Sequence, residues 1–526
     1  MKSYKKIATV IAVSAMGLAA CSADVNVDNV GYPSGKVSSS STSESTNSLV
    51  PQAIEAPMPA IPSGLEKFYT QKLTWTDCDS QKCADLTVPM DYQHPDGKTI
   101  TLRMRMVPAR GTAIGNLLTN PGGPGASGQE IAKMADQYFD SEVLDSFNLI
   151  GFDPRGVGDS TPVDCLPDKE LISVIEASYP DTPEGTAQNE ADAKKVVDGC
   201  VARTGDVLKF LGTEEAARDM DVMRHVLGDP QLYYVGFSYG TSLGGMYAQL
   251  FPKNVGRLIL DGAVDDSLSS FDQYLTQTKG FERAFNAYLE SCLSNKCPLG
   301  NSVDEARAKF SQLAEQAKKT PFPGEDNRTV NDTVLLYGVI LPLYDNMAWP
   351  ALTSAFDELV NDGKAGLFQR FFDMYISREG DTLTSNMMEA NWAISCADTV
   401  VTGNPEEWKR LSQQAAQEAP IFGKLMQYSE YMCSIWPGGG RKTPLGPYVA
   451  KGSAPIVVVG TTGDPATPYE WAQKFAKDLD NGVLVTWKGD GHTAYGRAGD
   501  CISKPLDEYL LTGKVPQDGL TCEGKN

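Results

Sequence analysis

Histidine is scarce in this 526-residue chain: only His94, His225 and His492 occur. None stands in an HExxH or comparable ligand spacing, so no catalytic metal and no cofactor are expected. Basic residues are also few. Against 67 Asp and Glu there are 46 Lys and Arg, giving a formal charge of −21. Such a surface repels phosphate backbones and anionic headgroups, which argues against a nucleic-acid partner. Long apolar runs are missing too, since no stretch reaches the ~18 uninterrupted residues of a membrane-spanning helix. What is present is 41% apolar residues with 49 Gly and 32 Pro, enough for a large folded core without collagen-like or disordered composition.

The N-terminus carries delivery signals. Lys2, Lys5 and Lys6 precede the apolar run 7–20, the length of a secretory h-region, and Leu18-Ala19-Ala20-Cys21 resembles a bacterial lipobox. Cleavage of 1–20 and lipidation of Cys21 are therefore expected, placing the protein at the outer face of the cell membrane and in contact with the bilayer through its lipid alone. Residues 21–64, rich in Ser and then in Pro51, Pro57, Pro59 and Pro62, read as a flexible stalk. Of 11 cysteines, removing Cys21 leaves an even set, as disulfides in an exported chain require. Neighbour pairing would join Cys78 to Cys83, Cys165 to Cys200, Cys292 to Cys297, Cys396 to Cys433 and Cys501 to Cys522. A structural zinc held by the two C-x4-C pairs is the alternative.

Short β-rich runs at 84–89, 99–107, 115–119, 147–152, 232–237 and 257–260 alternate with helical patterns such as 213–227, for which Thr213 is the expected N-cap. The later strands are nearly continuous apolar runs, as in a parallel sheet covered on both faces. After Asp266 the β signal disappears until residue 456, and 266–450 reads as helices. The fold class is α/β: a mostly parallel central sheet, first part 65–265 and last part 451–526, interrupted by a large helical cap at 266–450.

The strand 232–237 runs into Gly236-Phe237-Ser238-Tyr239-Gly240 and then a small-residue helix, the strand–G-x-S-x-G–helix context of a nucleophile elbow. Ser238 needs a base. His94 lies in a turn and His225 in a helix, both read as solvent-exposed, whereas His492 follows the strand 482–487 in a loop. Asp464, just beyond the strand 456–460, is the expected third member, with Asp490 as the rival whose spacing places it poorly. The order Ser, Asp, His is that of the α/β-hydrolases. Backbone N–H groups of Gly123 and Tyr239 are the expected oxyanion donors, because the loop 120–128 follows the third of those strands. That loop also contains G-x-G-x-x-G from Gly123 to Gly128, a dinucleotide fingerprint weakened by Pro124 and by the position of its strand. The residues thus point to serine-dependent acyl transfer.

Taken together, the Gly-Gly-Pro-Gly loop, Gly151-Phe152-Asp153-Pro154-Arg155-Gly156, the Gly-Phe-Ser-Tyr-Gly elbow, Leu260-Asp261-Gly262 and Gly463-Asp464-Pro465-Ala466-Thr467-Pro468 resemble the secreted tripeptidyl aminopeptidase and proline iminopeptidase group of α/β-hydrolases. Asn120 stands where proline iminopeptidases usually carry His, favouring the tripeptidyl branch. The resemblance implies release of short peptides, tripeptides by that branch, from substrates with a free N-terminus, the cap closing the far end of the cleft and Asp153 and Arg155 bracing loops. Glu389 and Asp398, flanking an apolar stretch of the cap, are candidates to receive the substrate ammonium. Two alternatives stand: a carboxylesterase or lipase acting on envelope esters, and a catalytically idle binding lipoprotein.

Overall fold

The computed structural model describes residues 49–524. The expected leader 1–20, Cys21 and most of the Ser-rich stalk lie outside the described residues. From Pro51 onward the chain is strapped to the body. Gln52 N donates to Leu511 O at 2.8 Å and Ile54 N to the Tyr233 hydroxyl at 2.7 Å, while Ile61 and Leu65 pack against the core. The expectation of a flexible stalk through residue 64 is corrected accordingly: isoleucines set among prolines supply apolar anchors on an already extended backbone.

Ten strands form the main sheet: β1 (Thr76–Cys78), β2 (Gln81–Pro89), β3 (Thr99–Val107), β4 (Gly115–Asn120), β5 (Phe147–Phe152), β6 (Leu232–Phe237), β7 (Val255–Asp261), β8 (Ile456–Gly463), β9 (Gly482–Asp490) and β10 (Leu520–Glu523). Their order is β1-β2-β3-β5-β4-β6-β7-β8-β9-β10. The β1–β2, β2–β3 and β3–β5 pairs are antiparallel. Every pairing from β5 to β10 is parallel. β6 and β7 are buried at every position, which explains the unbroken apolar sequence of β6 and the apolar run 258–260 of β7, where Arg257 and Asp261 are buried charges.

Alternate residues of the central strands enter separate cores, as the two-residue side-chain period requires. Leu118, Ile150, Tyr234, Leu258 and Val458 face one core, shared with helices α1 (Thr213–Leu227) and α2 (Gly240–Leu250) and continuous with the cap. Leu117, Leu149, Val235, Ile259 and Val457 face the other, closed by Ile131, Leu144, Ile502, Leu506 and Leu510. Gly244 lets α2 lie close to the sheet: a Cβ there would stand 2.4 Å from Leu260.

The cap is built from helices including α3 (Ser270–Leu293), α4 (Asp332–Leu343) and α5 (Met387–Asp398), packed through Phe281, Phe285, Phe310, Phe356 and Phe372. It also contains two small ribbons, Phe322–Pro323 with Thr329–Val330 and Arg378–Glu379 with Thr382–Leu383. Two-residue strands leave no readable period, so the sequence reading of a purely helical insertion missed them. The cap does not float. Asn331 Nδ2 donates to Glu176 O at 2.7 Å, Thr333 Oγ1 to Ala177 O at 2.9 Å, and Arg328 and Arg378 both pair with the Glu176 carboxylate. All five neighbour-paired disulfides are formed. Cys78, Cys83, Cys292 and Cys297 are consequently not available to a metal.

Candidate active site

Ser238 sits between β6 and α2 with φ of 54°, a left-handed backbone that non-glycine residues adopt only under local constraint. The flanking glycines are required by contact. A Cβ on Gly236 would lie 2.3 Å from Gly240 O, and one on Gly240 would lie 2.7 Å from Asn120 O. Ser238 N donates to Asp261 O at 2.8 Å, and Thr241 N and Oγ1 close the turn onto Ser238 O. The hydroxyl is thereby displayed, half-buried, at the carboxyl edge of the sheet.

His492 follows β9 and is 3% exposed. Its Nδ1 lies 2.9 Å from both oxygens of Asp464 and 3.2 Å from Thr467 Oγ1. Asp464 is saturated by other donors as well: Ala466 N and Thr467 N reach Oδ1, while Thr467 Oγ1 and Thr493 N reach Oδ2. With Nδ1–H given to this carboxylate, Nε2 carries the lone pair, and it has no hydrogen-bond partner among the described residues. The imidazole lies over Gly262, whose added Cβ would stand 3.2 Å from His492 Cε1. Gly262 directly follows Asp261, whose carbonyl accepts from Ser238 N, so a single turn touches both the imidazole and the elbow. Asp490 makes no contact with the ring; it pairs along the sheet with Gly463.

The loop after β4 approaches the elbow as an oxyanion loop must. A Cβ on Gly122 would meet Tyr239 N at 2.8 Å and Ser238 Cβ at 2.9 Å. Asn120 Oδ1 accepts from Gly122 N at 2.9 Å and so fixes the start of the turn that carries Gly123. From the other side, Asn391 Nδ2 of α5 donates to Pro124 O at 3.0 Å, and a Cβ on Gly125 would stand 2.5 Å from Met387 O. Gly128 packs onto Phe152 of β5. Of the glycines of the apparent dinucleotide fingerprint, Gly125 is explained by contact with the cap and Gly128 by contact with the sheet, while Gly123, at φ 108°, turns against Gly125 N and Ala126 N of its own loop.

Asp153 and Arg155 do brace loops. Asp153 gathers Ser127 Oγ, Gln129 Nε2 and Asp159 N, and Arg155 makes a bidentate pair with Asp219 while donating to three carbonyls. Buried charges are tolerated when satisfied in this way.

The two cap carboxylates are placed differently from the expectation. Glu389, 6% exposed, accepts from Cys165 N at 2.7 Å and Leu166 N at 3.2 Å. It is committed to the disulfide-bearing segment and not to the nucleophile. Asp398 accepts from Thr213 N at 3.0 Å and Thr213 Oγ1 at 2.6 Å. Thr213 is therefore not the N-cap of α1: Gly212 holds that position and Asp398, from another element, supplies the missing acceptor. Thr213 Oγ1 also lies 2.5 Å from the Tyr239 hydroxyl, so Asp398 is one hydroxyl removed from the elbow. Burial pushes both carboxyls up to about 7. It pushes Asp261, whose Oδ2 accepts from Ala494 N and Tyr495 N just after His492, up to about 6.

Sequence reasoning missed the parts of the site contributed across long chain separations. His492 N donates to Tyr344 O at 2.8 Å, and the Tyr344 ring stands edge-on to the imidazole at 5.3 Å. Arg497 donates to His492 O and Thr493 O, pairs with Asp345 at 3.0 Å and stacks over Trp487. Only Thr467 had a visible signal, inside the Gly-Asp-Pro-x-Thr-Pro motif. His94 stands exposed beside Asp91 as expected, but His225 is half-buried against Tyr69 rather than solvent-exposed.

Residues 115–336 match the α/β-hydrolase fold family and residues 419–522 match the family described as TAP-like protein. Serine protease Hip1 of Mycobacterium tuberculosis is 35% identical over 478 residues, covering 86% of this chain and 91% of that protein. Carboxylesterase B of the same species is 36% identical, covering 84% and 86%. A tripeptidyl aminopeptidase of Streptomyces lividans is 30% identical, covering 86% of each.

Proposed function

Because this chain belongs to the TAP-like group of α/β-hydrolases and is a serine hydrolase, we propose that it is a serine exopeptidase that releases tripeptides from a free N-terminus through Ser238, His492 and Asp464. The observation that carries the reading is the buried pair His492–Asp464, set over Gly262 with Nε2 unpartnered beside the elbow of Ser238.

In the proposed reaction Nε2 takes the Ser238 proton as Oγ attacks the scissile carbonyl. Asp464 orients the ring and stabilises its charged form, and the N–H groups of Gly123 and Tyr239 receive the oxyanion. The imidazolium then protonates the leaving amine, and water hydrolyses the acyl-enzyme by the reverse sequence. Asp398 remains the better ammonium partner of the two cap acids. It is joined to the elbow through Thr213 Oγ1 and the hydroxyl of Tyr239, the residue after Ser238.

The test compares a tripeptide amide with its N-acetylated form. The exopeptidase reading expects acetylation to raise KM sharply or abolish cleavage, and Asp398→Asn to penalise the free amine more than the blocked substrate; equal cleavage of both refutes it. The carboxylesterase relative supports a second reading, hydrolysis of envelope esters, which a higher kcat/KM on acyl esters than on any peptide amide would favour. Delivery is also part of the proposal. Lipidation at Cys21 would hold the enzyme at the outer membrane face, and Cys21→Ser should move it out of the detergent phase.

A further inference from the structure

Tyrosines in the interior of this protein usually spend their hydroxyl on a partner: Tyr233 on Ile54 N, Tyr234 on Gly240 O, Tyr247 on Asp221 and Tyr509 on Pro455 O. This is the ordinary behaviour of a buried phenol. Tyr337, Tyr344 and Tyr375 of the cap depart from it. All three rings are half-buried, and none of their hydroxyls makes a hydrogen bond among the described residues. Tyr337 belongs to α4 and Tyr344 ends it, seven positions later. Two helical turns put them on one face about 10 Å apart. Tyr375 packs at a tilt against Tyr337, with ring centroids 4.8 Å apart. The row begins at His492, which Tyr344 touches, and runs away from it.

The chemistry of the base gives the row its direction. His492 must hand its proton to the departing amine, so the part of the substrate beyond the scissile bond lies on the imidazole side. The acyl part lies on the side of the oxyanion loop. An extended chain advances about 3.3 Å per residue, so a row of this length spans about three residues.

We propose that Tyr344, Tyr375 and Tyr337 form the leaving-chain subsite, which takes apolar and aromatic side chains on the residues that follow the cleaved bond and offers them free phenol hydroxyls at its open edge. The inference rests on the acyl-transfer reading of the site but not on the identity of the acyl group. Its test uses the reverse of leaving-group departure. The acyl-enzyme is generated from an ester donor and offered phenylalaninamide or glycinamide in competition with water. The amine nitrogen attacks the acyl carbonyl, the bond to Ser238 Oγ breaks, the amine proton passes to His492 and from there to Oγ, and the acyl amide is released.

Capture by phenylalaninamide should exceed capture by glycinamide by about tenfold, the scale of a well-packed aromatic contact. Tyr375→Ala and Tyr337→Ala should each lower that ratio about threefold or more, and Tyr375→Phe should retain most of it. Because the readout is a ratio of two acceptors in one enzyme, a general loss of activity does not move it. Equal capture of the two amides, or a ratio untouched by both alanine variants, overturns the subsite. Failure to cleave tripeptide amides while the ratio behaves as stated would overturn the exopeptidase reading alone.

Discussion

At the scale of single residues, Ser238, His492 and Asp464 should act as a unit. Ser238→Ala should abolish fluorophosphonate labelling and hydrolysis, and His492→Ala and Asp464→Asn should each lower kcat by about three orders of magnitude or more. His94→Ala should leave kcat/KM within about twofold of wild type, since His94 is exposed in a turn and bonded only to its neighbour Asp91 and to the turn backbone. Arg497 offers a sharper test. Its guanidinium ties the carbonyls of His492 and Thr493 to Asp345 of the cap, which places it to position the proposed base. Arg497→Lys and Asp345→Asn should lower kcat about tenfold with KM little changed. A fall in thermal stability without a change in kcat would reduce the pair to a brace.

Which residues were legible follows from how each is encoded. Ser238, Asp464 and His492 lie at strand ends inside short motifs, and the glycines around Ser238 are dictated by contacts within a few ångströms. Tyr344, Asp345, Asn391 and Arg497 reach the site by cap folding across long chain separations. No local pattern announces such a partner. Glu389 was misread for a related reason: an acid beside an apolar stretch looks like a ligand for a substrate, yet it serves two amides of the segment bearing Cys165.

At the scale of elements, α5 holds two parts of the proposed site at once. Asn391 grips the oxyanion loop at Pro124, and Asp398 at its C-terminal end holds Thr213 and through it Tyr239. Asn391→Ala should therefore depress kcat for amides and esters alike, by about tenfold, since the oxyanion donor is shared by both reactions. Asp398 makes a pH prediction. Its folded pKa, about 7, lies above the ordinary Asp value, so the folded state binds the proton more tightly than the unfolded state. Its contribution to stability is greatest at low pH and declines as pH rises from about 4 to about 7. Asp398→Asn should flatten the fall of Tm over that window; an identical slope in the variant would refute the assignment. The main strands were readable because β6 is apolar throughout, β7 carries the apolar run 258–260 and β2 alternates. The short β1, β10 and cap ribbons were not, because two to four residues carry no periodicity.

At the scale of the whole molecule, the cap touches every loop of the proposed site: the loop after β4 through Asn391, the elbow through Asp398 and Thr213, and the His492 loop through Tyr344 and Asp345. The Cys396–Cys433 disulfide fastens α5 to the helix Tyr431–Ser434. Closing a loop of this length is worth about 3–4 kcal/mol in the chain-entropy view. Removing it with a Cys396→Ser, Cys433→Ser pair should inactivate the enzyme at a temperature where far-UV circular dichroism still reports a folded sheet. Coincident loss of both signals would mean that cap and sheet unfold together. The same three attachments impose an order on the life of the chain. Until α5 and the end of α4 have docked, Asn391 cannot reach Pro124 and Tyr344 cannot reach His492, so the proposed site would be incomplete in a chain whose sheet has formed and whose cap has not. Folding of the cap would then be the step that arms the hydrolase, with no bond cut to release it.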